Sequence, residues 1–109
     1  MMYNVNGVDL EADEQGYLLE PVFDDEAVRV IAAAESIELT DAHWEVVNFL
    51  RQYYNDYQIA PAVQVLTKAI GKQLGAEKGT SKYLYELFPY GPAKQACKVA
   101  GLPKPTGCV

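Results

Sequence analysis

Leu39-Thr40-Asp41-Ala42-His43-Trp44-Glu45-Val46-Val47-Asn48-Phe49-Leu50-Arg51-Gln52-Tyr53-Tyr54-Asn55-Asp56-Tyr57, followed after Gln58-Ile59-Ala60 by Pro61-Ala62-Val63-Gln64-Val65-Leu66-Thr67-Lys68-Ala69-Ile70-Gly71-Lys72-Gln73-Leu74-Gly75, decides the fold. Thr40 is a good N-cap, and Leu39 before it can staple onto Trp44. Val46, Val47, Phe49, Leu50, Tyr53, Tyr54 and Tyr57 give a broad apolar surface, which suits a central helix with neighbours on several sides. Pro61 fits the first turn of the next helix, since its missing N–H has no partner there anyway. Val63, Leu66, Ile70 and Leu74 form that helix's buried face, and Gly75 closes it. Two helices with a short turn between them make a helix-turn-helix in outline.

Working outward, Tyr3-Asn4-Val5 and Val8-Asp9-Leu10 alternate around Asn6-Gly7, a strong hairpin signal. Tyr17-Leu18-Leu19, after the Asp13-Glu14-Gln15-Gly16 turn, predicts a third strand and so a small meander. Asp24 or Asp25 caps a first helix over Glu26 to Ser36, with Ala27, Val30, Ile31 and Ala34 on its apolar face. Thr80 or Ser81 caps a fourth helix holding Tyr83, Leu84 and Leu87. Pro92 opens a fifth, Ala93 to about Ala100, closed by Gly101. The expected fold class is α+β, mainly α: about five helices and a small N-terminal antiparallel sheet. Residues 1–101 are read as one compact domain and 102–109 as a mobile C-terminal arm.

Composition bounds the function. The chain has 109 residues, enough for one domain. Half the residues are hydrophobic and 12 are aromatic, too many for a disordered chain. No uncharged run approaches the roughly 20 residues of a membrane span, and no secretory signal is visible, so the cytoplasm is the expected compartment. Net charge is −6 but unevenly placed. Residues 1–59 carry 13 acidic and 2 basic side chains; residues 60–109 carry 2 acidic and 7 basic. The acidic balance argues against nucleic acid as the main partner, while the basic half suits an anion or an acidic protein face.

The two cysteines, Cys97 and Cys108, are too few for a disulfide framework. They are not spaced as CxxC, and the single His43 is distant in sequence, so no metal site is expected. Cys108 is penultimate. From Gly101 to Cys108 the chain can span roughly 20–25 Å at about 3.3 Å per residue, enough for a thiol to enter a cleft in another protein. Gly101 and Gly107 are possible swivels around the extended Pro103-Lys104-Pro105 run. Lys98 and Lys104 would lower the Cys108 thiol pKa, and the nearby terminal carboxylate opposes them. These residues read as a carrier: Cys108 bears sulfur, and Cys97 attacks to release it, leaving a Cys97–Cys108 disulfide. The plainer alternative makes Cys97 a small buried hydrophobe and the tail a spacer. No role falls to His43, expected to be partly buried. A rival reading is a helix-turn-helix DNA-binding regulator using Lys68, Lys72, Gln64 and Gln73, though two lysines are thin against the acidic charge. Another is a structural subunit anchored by its tail.

The C-terminal stretch Phe88-Pro89-Tyr90-Gly91-Pro92-Ala93-Lys94-Gln95-Ala96-Cys97-Lys98-Val99-Ala100-Gly101-Leu102-Pro103-Lys104-Pro105-Thr106-Gly107-Cys108-Val109 closely resembles the end of the DsrC/TusE family of sulfur-relay proteins. Gly16-Tyr17-Leu18, His43-Trp44-Glu45, Ile59-Ala60-Pro61-Ala62-Val63 and Lys82-Tyr83-Leu84-Tyr85 extend the resemblance over nearly the whole chain. It implies a compact helical domain with a small sheet, and Cys108 as the sulfur-bearing residue on a mobile arm. Relatives with only the penultimate Cys resemble the TusE branch, a relay for tRNA 2-thiouridine synthesis; Cys97 points instead to the DsrC branch. There the resemblance implies an arm that enters the dissimilatory sulfite reductase DsrAB near its sirohaem. A trisulfide between the cysteines then passes sulfur to a membrane-associated Dsr complex. Sulfurtransferases such as DsrEFH or TusA-like proteins are the implied donors. Sirohaem and iron–sulfur clusters would belong to the partner, and this chain would hold no cofactor: two thiols are too few for a cluster. The Gly75–Lys82 loop resembles that of relatives from sulfur oxidisers, which favours the oxidative direction; TusE-like proteins share it.

Overall fold

A computed structural model describes residues 2–104. Its elements in chain order are β1 (Met2–Val5), β2 (Val8–Glu11), α1 (Asp25–Ala34), α2 (Asp41–Tyr57), α3 (Val63–Leu74), α4 (Ser81–Leu87) and α5 (Lys94–Val99). The α+β class with five helices and a small N-terminal sheet is as the sequence implies.

β1 and β2 pair antiparallel with Met2 opposite Glu11 and Val5 opposite Val8. Asn6 and Gly7 turn the hairpin at φ 53° and 84°, both in the left-handed region a type I′ turn requires. The expected third strand shrinks to one bridge, Ala12 to Leu18. Asp13 explains part of this: its carboxylate accepts from the backbone N–H of Gln15 and Tyr17, which holds a tight turn in place of a ladder. Pro21, with no N–H to donate, stands just beyond.

α1 is capped by Asp24, which accepts from the N–H groups of Glu26 and Ala27. Its buried residues are Ala27, Val28, Ile31 and Ala32, whereas Ala34, expected on that face, is exposed. Both stripes are apolar, and packing against β1 and α5 selects between them. The helix ends at Ala34 rather than Ser36, because Ser36 takes φ 59° and Ile37 N–H closes back onto Ala32 O.

α2 is the central helix, burying Val46, Val47, Phe49 and Leu50. Tyr57, expected on the apolar surface, lies in the last turn and is exposed, its ring 4.6 Å from that of Tyr53. α3 buries Leu66 and Ile70 and starts two residues after Pro61. The loop to α4 crosses α3 where Gly79 meets Gly71, and Lys78 Nζ donates to both carboxylate oxygens of Glu45 at 2.9 and 3.2 Å. Thr80 caps α4 by accepting from Tyr83 N–H. The core joins all layers through Leu18, Ile31, Leu50, Leu66, Ile70, Leu84, Phe88 and Leu102.

Candidate functional site around Cys97

α5 is a short helix buried on most sides, with Gln95, Ala96, Cys97 and Val99 all inside. Cys97 is its centre and is fully buried. Burial pushes its thiol up to about 12, so at neutral pH it stays protonated in this packing.

The helix ends in a fixed arrangement. Gly101 N–H donates to Lys98 O, and Leu102 N–H to Cys97 O, the paired bonds of a Schellman cap. Gly101 has φ 83°, and its carbonyl accepts from Val22 N–H at 2.9 Å. A Cβ at Gly101 would overlap the Val22 carbonyl oxygen. Gly101 is therefore required to seal the helix end against Val22, not to swivel there. Leu102, assigned to the arm from sequence, is fully buried in the core. Pro103 is half-buried and Lys104 exposed. The packed domain thus extends through Leu102. Cys108, Pro105 and Gly107 lie outside the described residues.

Over the α5 residues that flank Cys97, though not lined by Cys97 itself, a polar cleft of about 190 Å³ opens, walled by Gln15, Tyr17, Glu35, Tyr90 and Gln95 and by Lys94, Lys98 and Lys104. Glu35 Oε1 accepts from both Gln95 Nε2 and Lys98 Nζ at 3.2 Å. Gln95 Oε1 accepts from Tyr90 N–H at 3.1 Å, so the buried carboxamide has partners at both ends. Lys98 Nζ also sits 5.2 Å from the centroid of the Tyr17 ring. Tyr17 is buried, and its hydroxyl is pushed up to about 12, first by burial and then by the negative charge that Cys97, Asp13 and Glu35 would carry. Lys98, read from sequence as a cation for the arm thiol, is thus already committed to Glu35 and Tyr17.

His43 has a role the sequence did not disclose. It is buried, and Nε2 lies 2.9 Å from Leu87 O, which can only accept, so Nε2 carries the proton. Nδ1 then accepts from Thr40 N–H at 3.1 Å and from Thr40 Oγ1–H at 2.8 Å. The imidazole joins the start of α2 to the end of α4 and meets the Phe88 ring edge-on at 5.3 Å. A His three residues after a Thr cap, in place of the usual Glu or Gln, was the available signal. Among the described residues no group of three His, Cys, Asp or Glu side chains could hold a metal ion. No helix among them is long and apolar enough to cross a membrane.

Comparison with known proteins gives this site a context. The family described as "DsrC like protein" matches residues 4–109. The TusE sulfurtransferase homologue of Haemophilus influenzae is 55% identical over 109 residues, covering 99% of this chain and 100% of that protein. Sulfurtransferase TusE of Salmonella paratyphi A is 52% identical over 104 residues, covering 94% of this chain and 95% of that protein. The solution structure of Allochromatium vinosum DsrC superposes with a TM-score of 0.89 at 59% identity, with both chains fully covered. The oxidised gamma-subunit of the dissimilatory sulfite reductase (DsrC) from Archaeoglobus fulgidus gives 0.87 at 41% identity, again with full coverage.

Proposed function

The chain belongs to the DsrC-like family, and on that premise we propose that it is a sulfur carrier of the TusE type, passing sulfane sulfur on Cys108 toward tRNA 2-thiouridine synthesis. The observation that carries this reading is the burial of Cys97. Of the two thiols in the chain, Cys97 is protonated and inaccessible in the packed domain, so loading falls to Cys108. A relay of this type needs one thiol only. In the loading step the Cys108 thiolate attacks the terminal sulfur of a donor persulfide. A new S–S bond forms on Cys108, the donor's S–S bond breaks, and the donor leaves as a thiol, with no net oxidation. Delivery repeats the exchange on an acceptor thiol. The partners on this reading are a sulfurtransferase donor and an acceptor protein, the compartment is the cytoplasm, and the chain uses no cofactor of its own.

Two observations favour a second reading, exchange with a dissimilatory sulfite reductase: the presence of Cys97 and the full-length likeness to DsrC of Allochromatium vinosum. In that exchange Cys97 thiolate attacks Cys108 Sγ of the persulfide. The Cys108–sulfane bond breaks, hydrosulfide leaves, and the two thiols become one disulfide while the sulfane sulfur is reduced. Sirohaem and the clusters would belong to the reductase. This route requires α5 to open around Cys97.

Intact mass after incubation with polysulfide tests the shared core. Wild type and Cys97→Ser should each gain one sulfur atom (about 32 Da), reversible by thiol reductant, and Cys108→Ser should gain none. A gain that follows Cys97 instead would overturn the assignment. Restoration of 2-thiouridine in the tRNA of a strain lacking TusE supports the first reading. Failure there, with a monomeric Cys97–Cys108 bridge formed on oxidation, supports the second.

A further inference from the structure

Four clefts share walls. The Cys97 cleft shares Tyr90 and Lys94 with a second cleft, which runs past Tyr85 to Val63. That one shares Val63 with a third, and the third shares Lys68 with a fourth that ends at Lys72. The track therefore runs from Lys104, the last described residue, along α5 and α4 to the outer face of α3. Five of the seven cations of residues 60–109 line it. Its one acidic side chain, Glu35, is already paired with Lys98. Along the same track stand the exposed rings of Tyr85 and Tyr90 and the exposed Val65. A separate cleft near the hairpin, lined by Asp9, Glu11 and Glu20, has no cation.

We propose that this track is the docking surface for the protein that exchanges sulfur with Cys108, and that the partner presents an acidic face with apolar or aromatic pockets. The inference rests on the carrier reading above. Segregated charge of one sign steers an oppositely charged face, and exposed tyrosines supply anchoring area at low entropic cost. Continuity with Lys104 aligns the docked partner with the chain that leads to Cys108. A nucleic acid fits less well. The track has no Arg, much of its lining is apolar, and the whole chain is acidic, whereas duplex affinity comes from neutralising many phosphates.

The test separates docking from chemistry. A Lys68→Glu/Lys72→Glu variant and a Tyr90→Ala variant change exposed side chains outside the core. Their melting curves should match wild type, and loading by polysulfide, which needs no docking, should be unchanged. In a strain lacking TusE the charge-reversed variant should restore at least roughly tenfold less tRNA 2-thiouridine than wild type, and Lys68→Arg/Lys72→Arg should restore it fully. The same variants are titrated against purified dissimilatory sulfite reductase, where binding should weaken by a similar factor and with added salt. Charge reversal without effect on whichever partner wild type engages overturns the surface while leaving the carrier reading intact. A wild type that loads sulfur yet engages neither partner overturns the docking proposal. Failure of wild type to load sulfur overturns the carrier reading and the docking proposal with it. If the lysine changes abolish binding to tRNA or duplex DNA in a gel shift while both protein assays stay normal, the track is a nucleic-acid surface and this proposal is wrong.

Discussion

Gly101→Ala is the substitution whose cost can be built up from single terms. Gly101 holds φ 83°, and an L-residue there pays roughly 1–2 kcal/mol for left-handed backbone. Its new methyl would overlap the Val22 carbonyl oxygen, a backbone atom that cannot rotate away. Relief means separating the two segments, which weakens the 2.9 Å bond from Val22 N–H to Gly101 O, worth about 1 kcal/mol. Leu102, fully buried and next in the chain, shifts with it; even half of a leucine's transfer free energy adds about 1 kcal/mol. The total is about 3–4 kcal/mol, a large share of the roughly 5–15 kcal/mol that holds a domain folded. Gly7→Ala is the internal control. It has nearly the same φ, 84°, but nothing within 4 Å of where its new methyl would stand, so it should cost only the backbone term. Urea unfolding followed by far-UV circular dichroism measures both variants. A Gly101→Ala cost no greater than that of Gly7→Ala would refute the view that this glycine exists for the contact with Val22.

Three further outcomes follow from the same geometry. Cys97 should resist iodoacetamide at pH 8 in folded protein and react once urea is added. Because its pKa rises on folding from 9.0 to about 12, the stabilisation it contributes is full below pH 9 and is lost as pH climbs toward 12. Tyr17 titrates in that window too, so Cys97→Ala should flatten part of the alkaline loss, and an unchanged pH profile would count against the buried thiol. His43→Ala leaves Leu87 O and Thr40 N–H without their partner and should cost about 2–4 kcal/mol, while His43→Gln recovers the cap alone and should cost less; equal costs would show that the Leu87 bond contributes nothing. Gly79→Ala drives a methyl into the Gly71 backbone and should lower the melting midpoint by about 5 °C or more, and an unchanged midpoint would mean that the loop stands off α3.

Local signals were legible where one residue decides one feature. Asn6-Gly7 set the hairpin, the Asp24-Asp25 and Thr80-Ser81 pairs marked the starts of α1 and α4, apolar spacing marked α1, α2 and α3, and Pro92 and Gly101 bracketed α5. The misses share a cause: each depends on a contact made at long sequence separation or on a bond that no neighbouring residue announces. Val28 and Ala32 face the core instead of Ala34 because β1 and α5 lie there. Leu102 looked like tail because nothing around it signals the hydrogen bond to Cys97 O that folds it inward. His43 bonds a carbonyl 44 residues away. Of the site itself, the sequence marked both thiols. It could not show that one of them is sealed, nor that Tyr17, Glu35 and Gln95, from three separate segments, wall the cleft beside it.

The packing of Leu102 bounds where Cys108 can reach. Measured from Gly101, Cys108 lies seven residue steps along the chain. With Leu102 locked in the core, only six residue steps lead from a fixed point to Cys108, a span of at most roughly 20 Å. On the carrier reading, a thiol so few residues from a fixed point can reach only a small volume, so a partner seated next to Leu102, the root of this tether, would meet it at high effective concentration and one seated farther off than that span would not meet it. On the carrier reading, the partner's reacting sulfur lies within that radius of Leu102. Lengthening the tether tests this directly. Inserting Gly-Ser-Gly-Ser after Lys104 should leave polysulfide loading untouched but dilute the thiol around a docked partner, so protein-to-protein transfer should slow about twofold. Transfer that is indifferent to the insertion would show that the root's rigidity has no bearing on delivery.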